Sequence, residues 1–294
     1  MDHWTIIANP NAGRGLAFLH ANKAMSLLER CGSRGTLAKT RDVGDVARVL
    51  RECLGRGEKR FAVCGGDGTI HQVVNAIANT DAVLGIIPCG GGNDLARALG
   101  IPVHLESAVG ILARGEPTRI DLGRIGERFF GTIASVGFDA AVAEHVSEGK
   151  GKFSGSFRYV VSALRTLKSF EATDVEIKGD KETYKGKILL GAIGNAPYYG
   201  GGMRMVPAAT VNDGHLALCV IKEISKLSVL RSLLRVYQGT HIEMPFVYTT
   251  HSKALEIDTP EPEWIYADGE PICKTPVRVE VSEGALRVMV RSFD

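Results

Sequence analysis

The stretch FAVCGGDGTIHQVV, residues 61–74, runs an apolar segment straight into three glycines, an aspartate and a threonine, and then changes period. FAVC (61–64) reads as a buried strand. Beyond the glycines, Ile70, Val73, Val74 and Ile77 recur at i, i+3, i+4 and i+7, one face of a helix. Strand, glycine loop and helix in that order form the repeating unit of a parallel sheet covered by helices.

The same unit repeats on both sides. WTIIA (4–8) leads through NPNAGRG into a helix over about 16–30, and GTLAK (35–39) into a helix over about 43–56. VLGIIP (83–88) leads through CGGGND into a short helix ending at Leu99, and a further helix, near 103–114, stops before TRIDLG. After Asp121 strands dominate: RFFGTIASVGF, DVEIKG, GKILLGAIGN, HLALCVIK, KALEIDT, PEWIYADGE, VRVEVSE and ALRVMVRS, separated by turn residues. One helical pattern, about 156–169, interrupts them. The expected architecture is an α/β domain with a parallel sheet over residues 1–121, followed by a β-rich sandwich domain over 122–294.

At 45% hydrophobic and 23% charged, the 294 residues suit a well-packed globular protein. The net charge of +2, without a dense basic block, argues against a nucleic-acid partner. None of the six cysteines forms a CxxC pair, so a reduced protein without a zinc site is expected. MDHWTIIANP lacks the basic head and apolar stretch of a secretory leader, and no run reaches the roughly 18 apolar residues of a membrane span. The expected location is cytoplasmic, with any membrane contact peripheral.

Glycine makes up 35 residues, and the surplus is clustered. Ligands of open parallel sheets bind beyond the carboxyl ends of the strands. Gly65, Gly66, Asp67, Gly68 and Thr69 stand at such an end, and so do CGGGND and NPNAGRG. Glycine loops let backbone N–H groups approach phosphate closely, and a helix N-terminus adds favourable partial charge. The chain has no GxxxxGK[ST], and GDGTIH lacks the third glycine of a dinucleotide fingerprint. The carboxylate within the loop would repel phosphate unless a cation stood between, the place Mg²⁺ takes in nucleotide sites.

GGDGT after a strand resembles the signature of diacylglycerol kinase catalytic domains, sphingosine and ceramide kinases, NAD kinases and phosphofructokinases. NPNAGRG, IPCGGGNDLARALGIP, NAPYYGGGMRMVPAATVNDGHLAL and YADGEP are together similar to the bacterial soluble diacylglycerol-kinase-like lipid kinases. The resemblance covers both halves in order. It implies ATP-dependent phosphorylation of a lipid hydroxyl, between a nucleotide-binding domain and a sandwich domain.

By that resemblance, ATP phosphates meet Gly65, Gly66, Asp67, Gly68 and Thr69, with Ile70, His71 and Gln72 at the helix start and Asn9, Thr40, Gly91 and Asn93 completing the rim. Gly91 stands where the family has Thr or Ser, and His71-Gln72 where it commonly has Asn-Glu. The same resemblance gives Asp213, with the carbonyls of Thr210 and His215, a second and mainly structural Mg²⁺. It makes Glu270 the proton acceptor, ordered by Asp268, with Asp67 as the rival base. Asn-Asp-Gly and Asp-Gly are also strong turn signals in their own right.

On the lipid side, residues 150–170 place Lys150, Lys152, Arg158, Arg165 and Lys168 around an apolar stripe, a pattern that suits either an anionic membrane surface or a core helix with a solvated face. YYGGGMRM (198–205) reads as an acyl-chain groove or a connecting loop. The expected partners are a lipid substrate and, transiently, a membrane surface; a homodimer stays open. The competing readings are a small-molecule kinase of the NAD-kinase type and a catalytically weak nucleotide- or lipid-binding regulator.

Overall fold

The computed structural model describes residues 2–9, 15–40, 44–138, 142, 166 and 170–291. Two compact units are formed, Met1–Asp121 with Glu283–Asp294, and Leu122–Ser282.

The first unit alternates β1 (His3–Ala8), α1 (Leu16–Arg30), β2 (Arg34–Lys39), α2 (Val46–Gly55), β3 (Arg60–Gly65), α3 (Asp67–Ile77), β4 (Val83–Pro88), α4 (Asp94–Ala98) and α5 (Leu105–Arg114). Its strands are parallel, in the order β2-β1-β3-β4. β4 is buried along its whole length and β3 from its second residue on, which is why both read as continuous apolar runs and not as alternation. α1 buries Ala17, Ala21, Ala24 and Leu28, a stripe of mostly small side chains that lets the helix lie close to the sheet. α5 buries Leu105, Ala108, Val109 and Leu112. Gly85, in the middle of β4, makes that packing work. A Cβ there would fall 2.2 Å from Cδ2 of Leu112 and 2.9 Å from the ring of Trp4.

β5 (Glu116–Ile125) carries the chain into the second unit. There follow β6 (Arg128–Phe130), β7 (Ile133–Gly137), β8 (Thr173–Lys178), β9 (Thr183–Gly194), β10 (Leu216–Lys222), α6 (Lys226–Gln238), β11 (Val247–Ser252), β12 (Ala254–Asp258), β13 (Trp264–Ala267), β14 (Glu270–Lys274) and β15 (Val277–Val290). The pairing within this unit is antiparallel. β9 is shared: its first half pairs with β8, and its second half lies between β7 and β10. The period of two divides β10 between two cores. Leu216, Leu218 and Val220 join Phe130, Val136, Ile177, Leu255, Ile265 and Val279. Ala217, Cys219 and Ile221 join Leu189, Met203, Met205 and Val236 of α6.

Two elements differ from the sequence reading. α6 was missed among the strands, although Leu230, Leu233, Leu234 and Tyr237 recur at i, i+3, i+4 and i+7. VRVEVSE and ALRVMVRS are one strand, β15, and not two. The glycine between them, Gly284 (φ 60°), is not a turn. Its N–H donates to Oδ1 of buried Asp121 (2.7 Å) and its carbonyl accepts from Arg119 (2.9 Å). The end of β15 then pairs parallel with β4, at Arg287↔Val83 and Val288↔Leu84. The expected second domain, 122–294, thus gives up its last strand to the first unit, because β4 offers a parallel edge that only this segment fills.

Gly85→Val should destabilise the first unit by about 1–3 kcal/mol, the usual cost of overpacking a filled core. Urea unfolding followed by the fluorescence of buried Trp4, in a Trp264→Phe background, should show an earlier midpoint.

Candidate active site

The carboxyl ends of the four parallel strands lie side by side. In sheet order they present Thr40, Asn9, Gly65 with Gly66, and Cys89 with Gly90. Thr40 is buried and donates through Oγ1 to the carbonyl of Ala8 (3.2 Å), tying the end of β2 to that of β1. Asn9 is buried beside it in sequence. The rest of the NPNAGRG loop, residues 10–14, lies outside the described residues, as do residues 41–43.

The two glycine loops touch through their backbones. A Cβ on Gly90 would fall 2.6 Å from the Cα of Gly66, so neither position tolerates a side chain without movement. The Asp67 carboxylate then joins the loops, accepting from the backbone N–H of Asn93 at Oδ2 (2.8 Å) and of Asp94 at Oδ1 (2.7 Å). Asn93 closes its own loop: its Oδ1 accepts from Gly90 N–H (2.9 Å) and its Nδ2 donates to the Gly90 carbonyl (2.9 Å). It does so in a left-handed conformation (φ 54°, ψ 43°), one that asparagine tolerates better than most residues.

Asp67 is therefore tied into both loops. It is half-buried, and amide donors already offset its charge. Gly92 lies against two carboxylates. A Cβ there would meet Asp67 Oδ2 at 2.5 Å and Asp94 Oδ2 at 3.2 Å, so two carboxylates border the same small space. A pair of carboxylate oxygen donors fits a hard divalent cation. Asp94 was missed by sequence reasoning, although the Asn-Asp pair of CGGGND was its signal.

The remaining candidates divide by orientation. Gly68, in the first turn of α3, is open, with nothing within 4 Å of where a Cβ would stand. Gly91 is exposed and Gln72 half-buried. Thr69, Ile70 and His71 are buried, and the N–H groups of Thr69 and Ile70 donate to the Gly66 carbonyl (both 3.1 Å). Ile70 and His71 thus secure α3 to its sheet.

In the second unit, Asp268 (φ 50°) and Gly269 (φ 84°) form the turn of the β13–β14 hairpin. Asp268 does more than turn. Its Oδ2 accepts from Gly131 N–H (2.8 Å), and its Oδ1 from Thr132 N–H (2.8 Å) and Thr132 Oγ1 (2.5 Å). Fully buried Asn195 braces the same segment, donating to the Gly131 carbonyl through Nδ2 (3.0 Å) and to the Thr132 carbonyl through its N–H (2.8 Å). Glu270, half-buried at the head of β14, is presented by this braced turn. Gly131 and Thr132 were not singled out in the sequence, and Asn195 only as the first residue of the NAPYYGGG motif.

Asp213 is exposed, and its Oδ1 accepts from His215 N–H (3.0 Å) across Gly214 (φ 71°). The imidazole Nδ1 of His215 lies 2.9 Å from the Asp213 carbonyl. Thr210 is exposed. In YYGGGMRM, Tyr199 and Met203 bond to each other across the three glycines, and Met203 and Met205 are buried in the core. These methionines are core residues and do not line a groove. The basic pattern at 150–170 falls, but for Thr166 and Phe170, outside the described residues.

Glycine loops at the ends of a parallel sheet, followed by an antiparallel unit, define a phosphotransferase class, and comparison with known proteins gives the family. Residues 3–125 match the diacylglycerol kinase catalytic domain, and residues 132–290 the YegS C-terminal NAD kinase beta sandwich-like domain. A diacylglycerol kinase of Mycobacterium tuberculosis is 32% identical over 292 residues, covering 97% of this chain and 94% of its own. A diacylglycerol kinase of Bacillus subtilis is 29% identical over 268 residues, covering 90% and 88%. The fold is also that of a diacylglycerol kinase structure from Bacillus anthracis str. Sterne, with TM-score 0.76 at 21% identity, covering 99% of this chain and 97% of that one. The chain belongs to the diacylglycerol kinase family of lipid kinases. Among the described residues no helix is long and apolar enough to cross a membrane.

Asp67→Ala would leave two N–H groups without their carboxylate. Hydrogen bonds to a charged group contribute roughly 1.5–3 kcal/mol each, so the variant should lose about 3 kcal/mol or more. Its melting temperature should fall clearly below that of Gln72→Ala, compared by calorimetry.

Proposed function

We propose that this lipid kinase uses Mg²⁺ and ATP to phosphorylate the hydroxyl of diacylglycerol or a related lipid at a membrane surface. The observation that carries the reading is the Asp67 clasp, which holds two glycine loops together while Asp67 and Asp94 both approach Gly92. Backbone N–H groups of Gly66, Asp67, Gly68, Gly91 and Gly92 hold the phosphates, with Asn9 and Thr40 completing the rim. Asp67 and Asp94 hold the cation. Bound Mg²⁺ neutralises phosphate charge, which is most of what phosphoryl transfer asks of a site. Asp213, with the carbonyls of Thr210 and His215, holds a second Mg²⁺ as a structural ion.

Glu270 takes the proton of the lipid hydroxyl, and Asp268 positions it by bracing the turn. Asp67 is the poorer base, because two amide donors favour its ionised form. Glu270→Gln keeps the hairpin, and should lower kcat on the order of 10²–10⁴-fold with ATP affinity nearly unchanged. Single-turnover rates and nucleotide titration check this, and a wild-type rate would return the role to Asp67. The acceptor is found by incubating the protein with radiolabelled ATP, Mg²⁺ and a total lipid extract, with NAD assayed in parallel. Label appearing only in NAD, or ATP bound without transfer, would favour the competing readings.

α6 supplies a means of membrane contact. Val229, Ser232 and Val236 face its own unit, while Leu227, Leu230, Leu234 and Tyr237 point outward, with Leu234 75% exposed. Lys226, Arg231 and Arg235 accompany them, and the helix has no acidic residue. An exposed apolar stripe with basic neighbours suits an anionic lipid surface. Leu230→Glu/Leu234→Glu should reduce binding to phosphatidylglycerol-containing vesicles on the order of tenfold or more, since burying one leucine contributes about 1.5–3 kcal/mol. Cosedimentation measures this; an unchanged bound fraction would remove α6 from the contact.

A further inference from the structure

Three side chains with metal-binding atoms meet beneath the glycine loops, and the established activity uses none of them. His20 projects from α1, Cys64 lies one residue before the end of β3, and Cys89 follows β4 directly. An imidazole nitrogen and the two Sγ atoms all lie within 4.8 Å of one another. We infer that His20, Cys64 and Cys89 form a binding site for a thiophilic divalent cation, Zn²⁺.

Chemistry and geometry both support this. One imidazole and two thiols are the borderline-soft donors that Zn²⁺ prefers, whereas Mg²⁺ demands oxygen. Nδ1 of His20 is buried without a hydrogen-bond partner. Leaving a buried polar atom unsatisfied is costly, and a cation or its bound water removes that cost. Zn–S bonds of about 2.3 Å and Zn–N bonds of about 2.0 Å place tetrahedral ligand atoms roughly 3.4–3.8 Å apart. Closing from within 4.8 Å takes an ångström or so, within reach of side-chain rotation. The Cys64 thiol donates to the Ala17 carbonyl (3.1 Å), which turns it toward α1 and so toward His20 one helical turn on. Cys64 is buried, but His20 and Cys89 are only half-buried, which leaves the ion a way in.

The expectation of a zinc-free protein rested on the lack of a CxxC pair. Here the ligands come from three separate elements, and only the parallel pairing of β3 with β4, under α1, assembles them. Binding displaces both thiol protons to solvent and leaves a fourth coordination position for water. It also joins the ends of the two strands from which the glycine loops spring. A disulfide between Cys64 and Cys89 is the competing use of the pair, and it needs no histidine.

The test uses the full chain, reduced and freed of metal with a chelator, then titrated with Co²⁺. One equivalent should produce a thiolate-to-cobalt charge-transfer band in the near ultraviolet, and Zn²⁺ should displace it. Zn²⁺ should also raise the melting temperature. Cys64→Ser and Cys89→Ala should abolish the band, and His20→Ala should weaken affinity at least about tenfold, a loss that even an outer partner of a metal ligand can cause. Cys53→Ser, buried on α2 outside the cluster, should change nothing. Circular dichroism checks folding, and if Cys64→Ser does not fold, Cys89→Ala at the more open position carries the test. Absence of a thiolate band in the reduced wild type, its persistence in Cys89→Ala, or its equal loss in Cys53→Ser would each overturn the site.

Discussion

Two backbone N–H groups, from Asn93 and Asp94, converge on the carboxylate of Asp67, and the rim of the first unit depends on that convergence. Without it, two glycine-rich segments would have little to hold them, since glycine carries the largest conformational entropy of any residue. The clasp turns flexible backbone into a fixed surface of N–H groups. Gly66 and Gly90 lie too close for any side chain, and Asn93 adopts a left-handed turn, because the clasp demands both. The glycines supply proximity and the aspartate supplies rigidity; neither alone makes a fixed rim.

The second unit uses the same device. Asp268 accepts from Gly131 and Thr132 as Asp67 accepts from Asn93 and Asp94, and each aspartate fastens a tight backbone segment to a neighbour. In both cases a carboxylate that reads as catalytic also holds the local structure together. Buried or half-buried carboxylates of this kind do not separate cleanly into chemical and architectural groups.

Much of this was legible in the sequence, for a local reason. Parallel strands buried on both faces appear as unbroken apolar runs, and their helices as a period near 3.6, so β1 to β4 and α1 to α3 could be read directly. GGDGT, CGGGND and DGE likewise announced themselves through residues that are uncommon in combination. What could not be read was set by approach in space. α6 is an exception, since Leu230, Leu233, Leu234 and Tyr237 carry a helical period that was passed over among the strands. The meeting of Asp67 with the Asn93 and Asp94 amides, and of His20 with Cys64 and Cys89, joins residues far apart in the chain, and no spacing rule encodes it.

The route of β15 has a consequence for how the protein is made. The sheet of the first unit begins at His3 and is completed by residues near Val288, at the other end of the chain. A ribosome releases residues in order, so β1 to β4 wait for their last partner until the whole second unit has been made. The second unit, Leu122–Ser282, is continuous and has no such wait. Assembly during synthesis would therefore finish in reverse order, the middle of the chain before its beginning. Until then, the edge of β4 that receives Arg287 and Val288 is an open template for strand pairing, and a nascent chain stalled before Arg287 would expose it to other chains.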